Sequence, residues 1–188
     1  MLYNIAKFLL KPIFNILYAV KVDGMDNLPL DNGYIVCGNH AKAVDPILIA
    51  INLPSKINFM GKSELFSNKI IGYILSKLGA FPVKRGQPDL KSIKTSLKLL
   101  QEKQNIGIFP EGTRNRTDEL IAEPGIAMLA IKSRSPIVPI TIQTNYKFFN
   151  RTTINIGNTI FLDEYFDKKL KNEDYINISL DIMKKIKK

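Results

Sequence analysis

The segment CGNHAKAVDP, Cys37 to Pro46, holds the only histidine of the 188-residue chain, His40, and, five positions on, the carboxylate of Asp45. A neutral imidazole is well matched to taking a proton from a hydroxyl. A carboxylate bonded to its other nitrogen orients the ring and stabilises the imidazolium that forms. His40 and Asp45 are therefore a candidate general base and its partner. The spacing sets a condition. On a continuous helix of 3.6 residues per turn a five-residue step turns two side chains about 140° apart, and they cannot meet. They meet only if His40 sits on a turn and Asp45 where that turn enters a helix. Pro46 favours this, because proline suits the first helical turn and draws the residue before it away from helical dihedrals. The same placement offers Asp45 a purely structural role, as the N-cap of the helix that follows.

Three further blocks carry chemistry-bearing side chains. GAFPVKRG (Gly79–Gly86) sets Lys84 and Arg85 beside glycines that let a backbone approach a ligand; the pair suits a phosphate, with Arg85 able to bind it bidentately. Its plain alternative is a basic surface turn. IFPEGTRNR (Ile108–Arg116) ends an apolar run in an acid, a glycine, a hydroxyl and two guanidinium groups. Such a loop can hold a hydroxylated, phosphorylated small molecule, or be a charged turn with an internal Glu–Arg pair. SPIVPITI (Ser135–Ile142) is an apolar strand interrupted by Pro136 and Pro139, which suggests an edge or a bulge.

The elements that must position these blocks alternate. Short β-branched or apolar runs at Tyr34–Gly38, Ile57–Met60, Ile106–Pro110, Ile137–Ile142 and Thr152–Ile156 read as strands. Helical stretches lie between them, and the tail DYINISLDIMKKIKK reads as a last amphipathic helix. In PDLKSIKTSLKLLQEK, Leu90, Ile93, Leu97 and Leu100 recur at helical spacing and predict the buried face. The pattern is that of the α/β class: a single domain with a mixed sheet covered by helices. An N-terminal amphipathic helical segment over residues 1–21 precedes a domain over 22–188. In that segment, MLYNIAKFLLKPIFNILYAV, Lys7, Lys11 and Pro12 break the apolar run, so a spanning helix is not expected. Two short helices lying at a bilayer surface fit it, as does a helix packed on the domain's own core.

Bulk composition narrows the partners. The net charge of +10, from 27 basic against 17 acidic residues, favours an anionic partner such as a lipid surface, a nucleic acid or an acidic protein. Anionic lipid attracts each nearby Lys or Arg by roughly 1 kcal/mol. Nucleic-acid binders interleave stacking aromatics with their cations, whereas here Phe and Tyr sit mostly in apolar segments, so no nucleic acid is expected. Cys37 is the only cysteine, so no internal disulfide forms, and one Cys with one His builds no Cys/His metal cluster.

Together and in this order, NHAKAVD, GAFPVKR, FPEGTR and IVPI resemble the four blocks of the glycerolipid acyltransferase family, over roughly Val22–Ile142. The resemblance implies that His40 is the general base and Asp45 its partner. It implies that Lys84, Arg85, Glu111, Gly112, Thr113 and Arg114 bind the substrate's glycerol phosphate and that Pro139 shapes the pocket. The implied reaction moves an acyl group from a thioester of coenzyme A or acyl carrier protein to the 2-hydroxyl of 1-acylglycerol 3-phosphate (lysophosphatidic acid), giving phosphatidic acid. Neither metal nor other cofactor is implied, and the implied place is the cytoplasmic face of a membrane, bound peripherally or monotopically. Lys42 stands where many members carry Ser or Thr, and Pro124-Gly125 where a Lys-Gly pair is common. Another lysophospholipid or glycerol 3-phosphate is an alternative acceptor, and a non-enzymatic basic module on anionic membrane or nucleic acid is the alternative from another class.

Overall fold

The computed structural model describes residues 2–29, 32–84, 86, 89–110 and 123–186. Its centre is a seven-stranded sheet in the order β1-β7-β6-β2-β5-β3-β4. The strands are β1 (Val20–Asp23), β2 (Ile35–Gly38), β3 (Ile57–Lys62), β4 (Phe81–Val83), β5 (Asn105–Ile108), β6 (Ile137–Gln143) and β7 (Thr152–Ile156). The five from β6 to β4 run parallel, while β7 and β1 run parallel to each other and opposite to the rest. The sheet is mixed, as expected. The two strands not anticipated are β1, whose four residues alternate apolar positions with Lys21 and Asp23, and β4, three residues long with Pro82 at its centre.

Helices cover both faces. Helix α2 (Asp45–Asn52) packs Leu48 and Ile49 with Val36, Val138 and Ile154 on one face. Helices α4 (Leu90–Gln101), α5 (Gly125–Ser133) and α6 (Asn172–Ile186) pack with Ile35, Cys37, Ile106 and Ile108 on the other. Helix α3 (Lys69–Lys77) follows a 3-10 turn at Ser63–Phe66. Successive residues of β2 thus feed opposite cores, the two-residue period of a strand buried on both faces. β2 leaves into α2 on one face, and its neighbour β5 leads on to α5 on the other. Adjacent strands whose connections part to opposite faces open a crevice at their carboxyl ends, the usual ligand position in an open α/β sheet.

Three expectations are narrowed or corrected. The N-terminal segment is one helix, α1 (Leu2–Leu17), continuous through Pro12, not two. The carbonyl that proline leaves without its helical partner belongs to Phe8, on the exposed side, where water can satisfy it. On either side of Pro12 the helix is tied to α2 and the chain after it. The Tyr3 hydroxyl donates to the Ala50 carbonyl, Lys7 donates to the carbonyls of Leu53 and Pro54, and the Asn15 and Asn52 amides donate to each other at 3.0 Å. Second, Leu90 is exposed; Ile93, Leu97 and Leu100 of α4 pack on the core as expected, with Ser92 and Ser96 buried beside them. Ser96 Oγ is satisfied within the helix by the Ser92 carbonyl at 2.8 Å, so small hydroxyls sit inside without an orphaned donor. Third, Pro139 lies in an interior strand, so no sheet edge explains it. A bulge does. Ile140 pairs with Ile156, but Ile137 pairs with Ile160, one residue out of that register. At the step between, the Gly157 N–H donates to the Pro139 carbonyl at 2.8 Å, and a Cβ on Gly157 would lie 3.0 Å from Pro139 Cγ.

Candidate active site

His40 lies two residues beyond β2, on the turn before α2. The turn is pinned by its neighbour. The Asn39 amide accepts from the Ile142 N–H at 2.8 Å and donates to the Ile142 carbonyl at 3.0 Å, which carries the β2–β6 pairing past the strand end. The turn then closes on Asp45. Oδ2 of Asp45 accepts from the N–H groups of Ala41 and Lys42, each at 2.8 Å, and stands 3.0 Å from His40 Nδ1. An ionised carboxylate only accepts, so this contact places the proton on Nδ1 and leaves Nε2 as the nitrogen able to take another. Asp45 has no exposed surface and His40 is 7% exposed.

Asp45 is not an N-cap. It is the first residue of α2; Val44 occupies the cap position, and no side chain caps the helix. The carboxylate is directed back into the turn it follows, where its two backbone bonds shape the turn and its third contact holds the imidazole.

Aromatic rings fix the other side. Phe109, the first residue after β5, stacks on the His40 ring with centroids 4.2 Å apart and planes at 22°. Phe59 of β3 stacks in turn on Phe109 at 5.7 Å. Gly107 makes room for this, since a Cβ there would lie 2.2 Å from Phe59 Cε1. The imidazole is thus held at its edge by a carboxylate and over its face by a phenyl ring, whose quadrupole favours a cation.

Residues 19–143 match the family model described as Acyltransferase. The chain belongs to the acyltransferase family. It is 40% identical over 143 residues to the 1-acyl-sn-glycerol-3-phosphate acyltransferase of Bacillus subtilis (strain 168), a match covering 76% of this chain and 71% of that protein. It is 30% identical over 156 residues to the protein of the same name from Streptococcus pneumoniae, covering 79% and 57%. The crystal structure of the 1-acyl-sn-glycerophosphate (LPA) acyltransferase PlsC from Thermotoga maritima superposes with a TM-score of 0.71 over 99% of this chain and 79% of that one; at 20% identity it supports the fold. By this kinship the chain is an O-acyltransferase.

The remaining expected site residues of this acyltransferase divide. Lys84 follows β4 and is exposed, three strands away from β2 across the sheet. It borders a cavity of about 500 Å3 with Ser63, Ser67, Asp89 and Lys91. Asp89 is the N-cap of α4, accepting from the Lys91 and Ser92 N–H groups, and also accepts from the Lys84 N–H at 2.9 Å. These bonds, the one from Lys84 foremost, hold the Asp89 carboxyl below the ordinary range. Arg85, Glu111, Gly112, Thr113 and Arg114 lie outside the described residues. Among the described residues no group of three or more His, Cys, Asp or Glu side chains is placed to hold a metal ion.

Sequence reasoning passed over Phe59, Phe109 and Tyr146. The Tyr146 hydroxyl donates to Asp45 Oδ1 at 2.8 Å from 101 positions away. Phe109 stood within a block already singled out. Nothing local to Tyr146 marks it.

Proposed function

We propose that this enzyme transfers a fatty acyl group from an acyl thioester to the 2-hydroxyl of 1-acylglycerol 3-phosphate, forming phosphatidic acid for phospholipid synthesis. The observation that carries the reading is the buried His40–Asp45 contact at the crevice between β2 and β5, in a chain whose relatives bear that activity in their names. His40 Nε2 takes the proton of the acceptor hydroxyl as its oxygen attacks the thioester carbonyl. Asp45 holds Nδ1–H and stabilises the imidazolium, and the same ring returns the proton to the departing thiolate. Lys84 and Arg85, with Glu111, Gly112, Thr113 and Arg114, hold the glycerol phosphate. The thiol carrier is coenzyme A or acyl carrier protein.

The acceptor is a lipid, and the surface supports work at a bilayer. Helix α1 presents Leu2, Ile5, Phe8, Leu9, Ile13 and Ile16 outward, with Phe8 79% exposed, and exposed Phe148 and Phe149 lie beside its C-terminal end. No helix among the described residues is long and apolar enough to cross a membrane. A helix lying in the interface, reinforced by the +10 charge on anionic lipid, fits these features. The cytoplasmic leaflet is the proposed side, because acyl thioesters are made there.

The test is acyl transfer to 1-acylglycerol 3-phosphate on anionic vesicles, with acyl carrier protein and coenzyme A thioesters supplied in parallel and His40→Ala as control. Phosphatidic acid from the wild type and none from His40→Ala is the expected result, and the productive thioester names the donor. A folded, vesicle-bound wild type that yields no product with either donor overturns the reading.

A further inference from the structure

Among the described residues Asp45 receives four donors, and three of them come from its own turn. All three converge on Oδ2. The fourth, the Tyr146 hydroxyl, is the only described donor to Oδ1. Without it a fully buried carboxylate would have one oxygen crowded with three donors and one with none, and rotation about its terminal bond would share them out. That rotation moves Oδ2 off the line to His40 Nδ1.

Tyr146 is built to prevent this. It stands just beyond the segment matched by the family model, which ends at residue 143, on the loop after β6. Its backbone φ is 58°, a conformation that bulky side chains rarely adopt. Neighbouring contacts hold it there. Thr144 Oγ1 accepts the Tyr146 N–H at 3.0 Å and shares a hydrogen bond of 2.8 Å with the buried Thr152 hydroxyl. The loop is also fastened to α1: the Phe149 N–H donates to the Leu17 carbonyl at 2.6 Å, and Phe148 packs edge-on against Tyr18 with centroids 5.6 Å apart. Lys42 Nζ sits 5.9 Å from the centre of the Tyr146 ring. Burial, followed by the Asp45 carboxylate, raises the phenol far above its ordinary value, so it stays a donor across the working pH range.

We propose that Tyr146 is a positioning residue of the His40–Asp45 pair, its hydroxyl fixing the Asp45 carboxylate so that Oδ2 faces His40 Nδ1. The proposal rests on the reading of His40 as general base, and it deepens that reading by extending the machinery to a loop joined to the end of α1.

His40 is the only histidine, so a chain without a histidine tag, labelled with 15N at histidine, gives a spectrum of this one ring. The comparison is wild type with Tyr146→Phe, which keeps the ring and removes the donor. The Nδ1–H resonance is expected to move. With 1-acylglycerol 3-phosphate and the donor the wild type prefers, kcat is expected to fall about tenfold, while KM for both substrates stays within about twofold. That fall corresponds to about 1.4 kcal/mol. A role in packing alone would lower the melting temperature and leave the resonance in place. Either an unmoved Nδ1–H resonance or an unchanged kcat overturns the proposal. Thr144→Val leaves the phenol but removes the oxygen that holds the Tyr146 N–H, and is expected to give the same changes in smaller size. If Tyr146→Phe does not fold, Thr144→Val carries the test. A wild type that makes no phosphatidic acid would sink the acyl-transfer reading, and the position of the Nδ1–H signal would then decide the role of Tyr146 alone.

Discussion

Asp45→Asn separates the charge of the proposed catalytic pair from its geometry, and the structure sets how the new side chain must sit. Asparagine offers one accepting oxygen and one donating nitrogen where aspartate offers two acceptors. The Ala41 and Lys42 N–H groups both point at the Oδ2 position and belong to the backbone, so they cannot turn away. The amide oxygen must therefore occupy that position, which keeps His40 Nδ1 facing an acceptor and preserves the tautomer. The amide nitrogen then faces the Tyr146 hydroxyl, which can rotate and accept. All four contacts survive as neutral bonds. Hydrogen bonds to charged groups contribute about 1.5–3 kcal/mol against about 0.5–1.5 for neutral ones. Much of that difference is offset because a neutral amide costs less to bury than a carboxylate.

Stability is therefore expected to fall by about 1–2 kcal/mol, which at about 2–4 °C per kcal/mol for a chain of this size is a modest drop in melting temperature. The rate is expected to fall much further, because the imidazolium formed during transfer loses its anionic partner. In Ser-His-Asp proteases the same exchange inverts the tautomer and costs about 10⁴-fold. With the tautomer kept, the expected loss here is about 10²–10³-fold in kcat, or about 2.7–4.1 kcal/mol. Steady-state transfer and thermal melts on one preparation check both values. A wild-type rate would refute the assignment of Asp45 as the partner of His40. A loss of 10⁴-fold or more in a folded protein would refute the argument that the two backbone N–H groups dictate the orientation of the amide.

Two further substitutions probe the supports around the site. Gly107→Ala places a methyl 2.2 Å from Phe59 Cε1 and must displace that ring. Overpacking of this kind costs about 1–3 kcal/mol, and because Phe59 leads through Phe109 to His40, kcat is expected to fall about 10–100-fold, more than melting data would account for; an unchanged rate would show that the ring stack does not hold the imidazole. Asp89→Ala removes the α4 cap and the bond to the Lys84 N–H, and is expected to cost about 1 kcal/mol, or about 2–4 °C, at neutral pH. Since the folded carboxyl titrates below its unfolded value, its contribution is present above about pH 4 and is lost as pH falls through the folded value, so the melting difference between wild type and variant should close in acid.

What the sequence made legible follows the range of each contact. The His40–Asp45 pair could be read because three of the four donors to Asp45 lie within five residues of it, so a turn signal and a proline define the geometry. Five of the seven strands and α2 to α6 could be read because their apolar residues cluster or repeat within one element. On α4, Ile93, Leu97 and Leu100 could be read for the same reason, whereas the burial of Ser92 and Ser96 beside them could not, because serine carries no hydrophobic signal. The continuity of α1 through Pro12 depends on ties to α2 and the chain after it that run nearly forty residues or more ahead. The alternative of a helix cap at Asp45 is not realised for a related reason. The carboxylate had a choice between the helix ahead and the turn behind, and the pinning of that turn by Asn39 against β6 favoured the latter.

The parts of the site that were not legible all arrive through the order of the sheet. Parallel neighbours lie roughly 4.8 Å apart, and the register pairs Cys37 of β2 with Ile108 of β5, so the residues that follow, Gly38 and Phe109, stand side by side. Even a Cβ at Gly38 would lie 3.5 Å from Phe109 Cε1, an ordinary contact, so this position leaves room for the phenyl ring. The ring is then free to lie against the imidazole two residues on. On the other flank, β6 brings Ile142 to Asn39, and Tyr146 follows four residues later, just past the strand end, over Asp45. β5 and β6 are far apart in sequence from β2, yet they are its immediate neighbours. A turn that can be recognised from ten residues is thus held rigid by two strands that no reading of those ten residues reveals. On the proposed reading the motif supplies the proton-transfer chemistry, and the strand order supplies the precision that such chemistry requires.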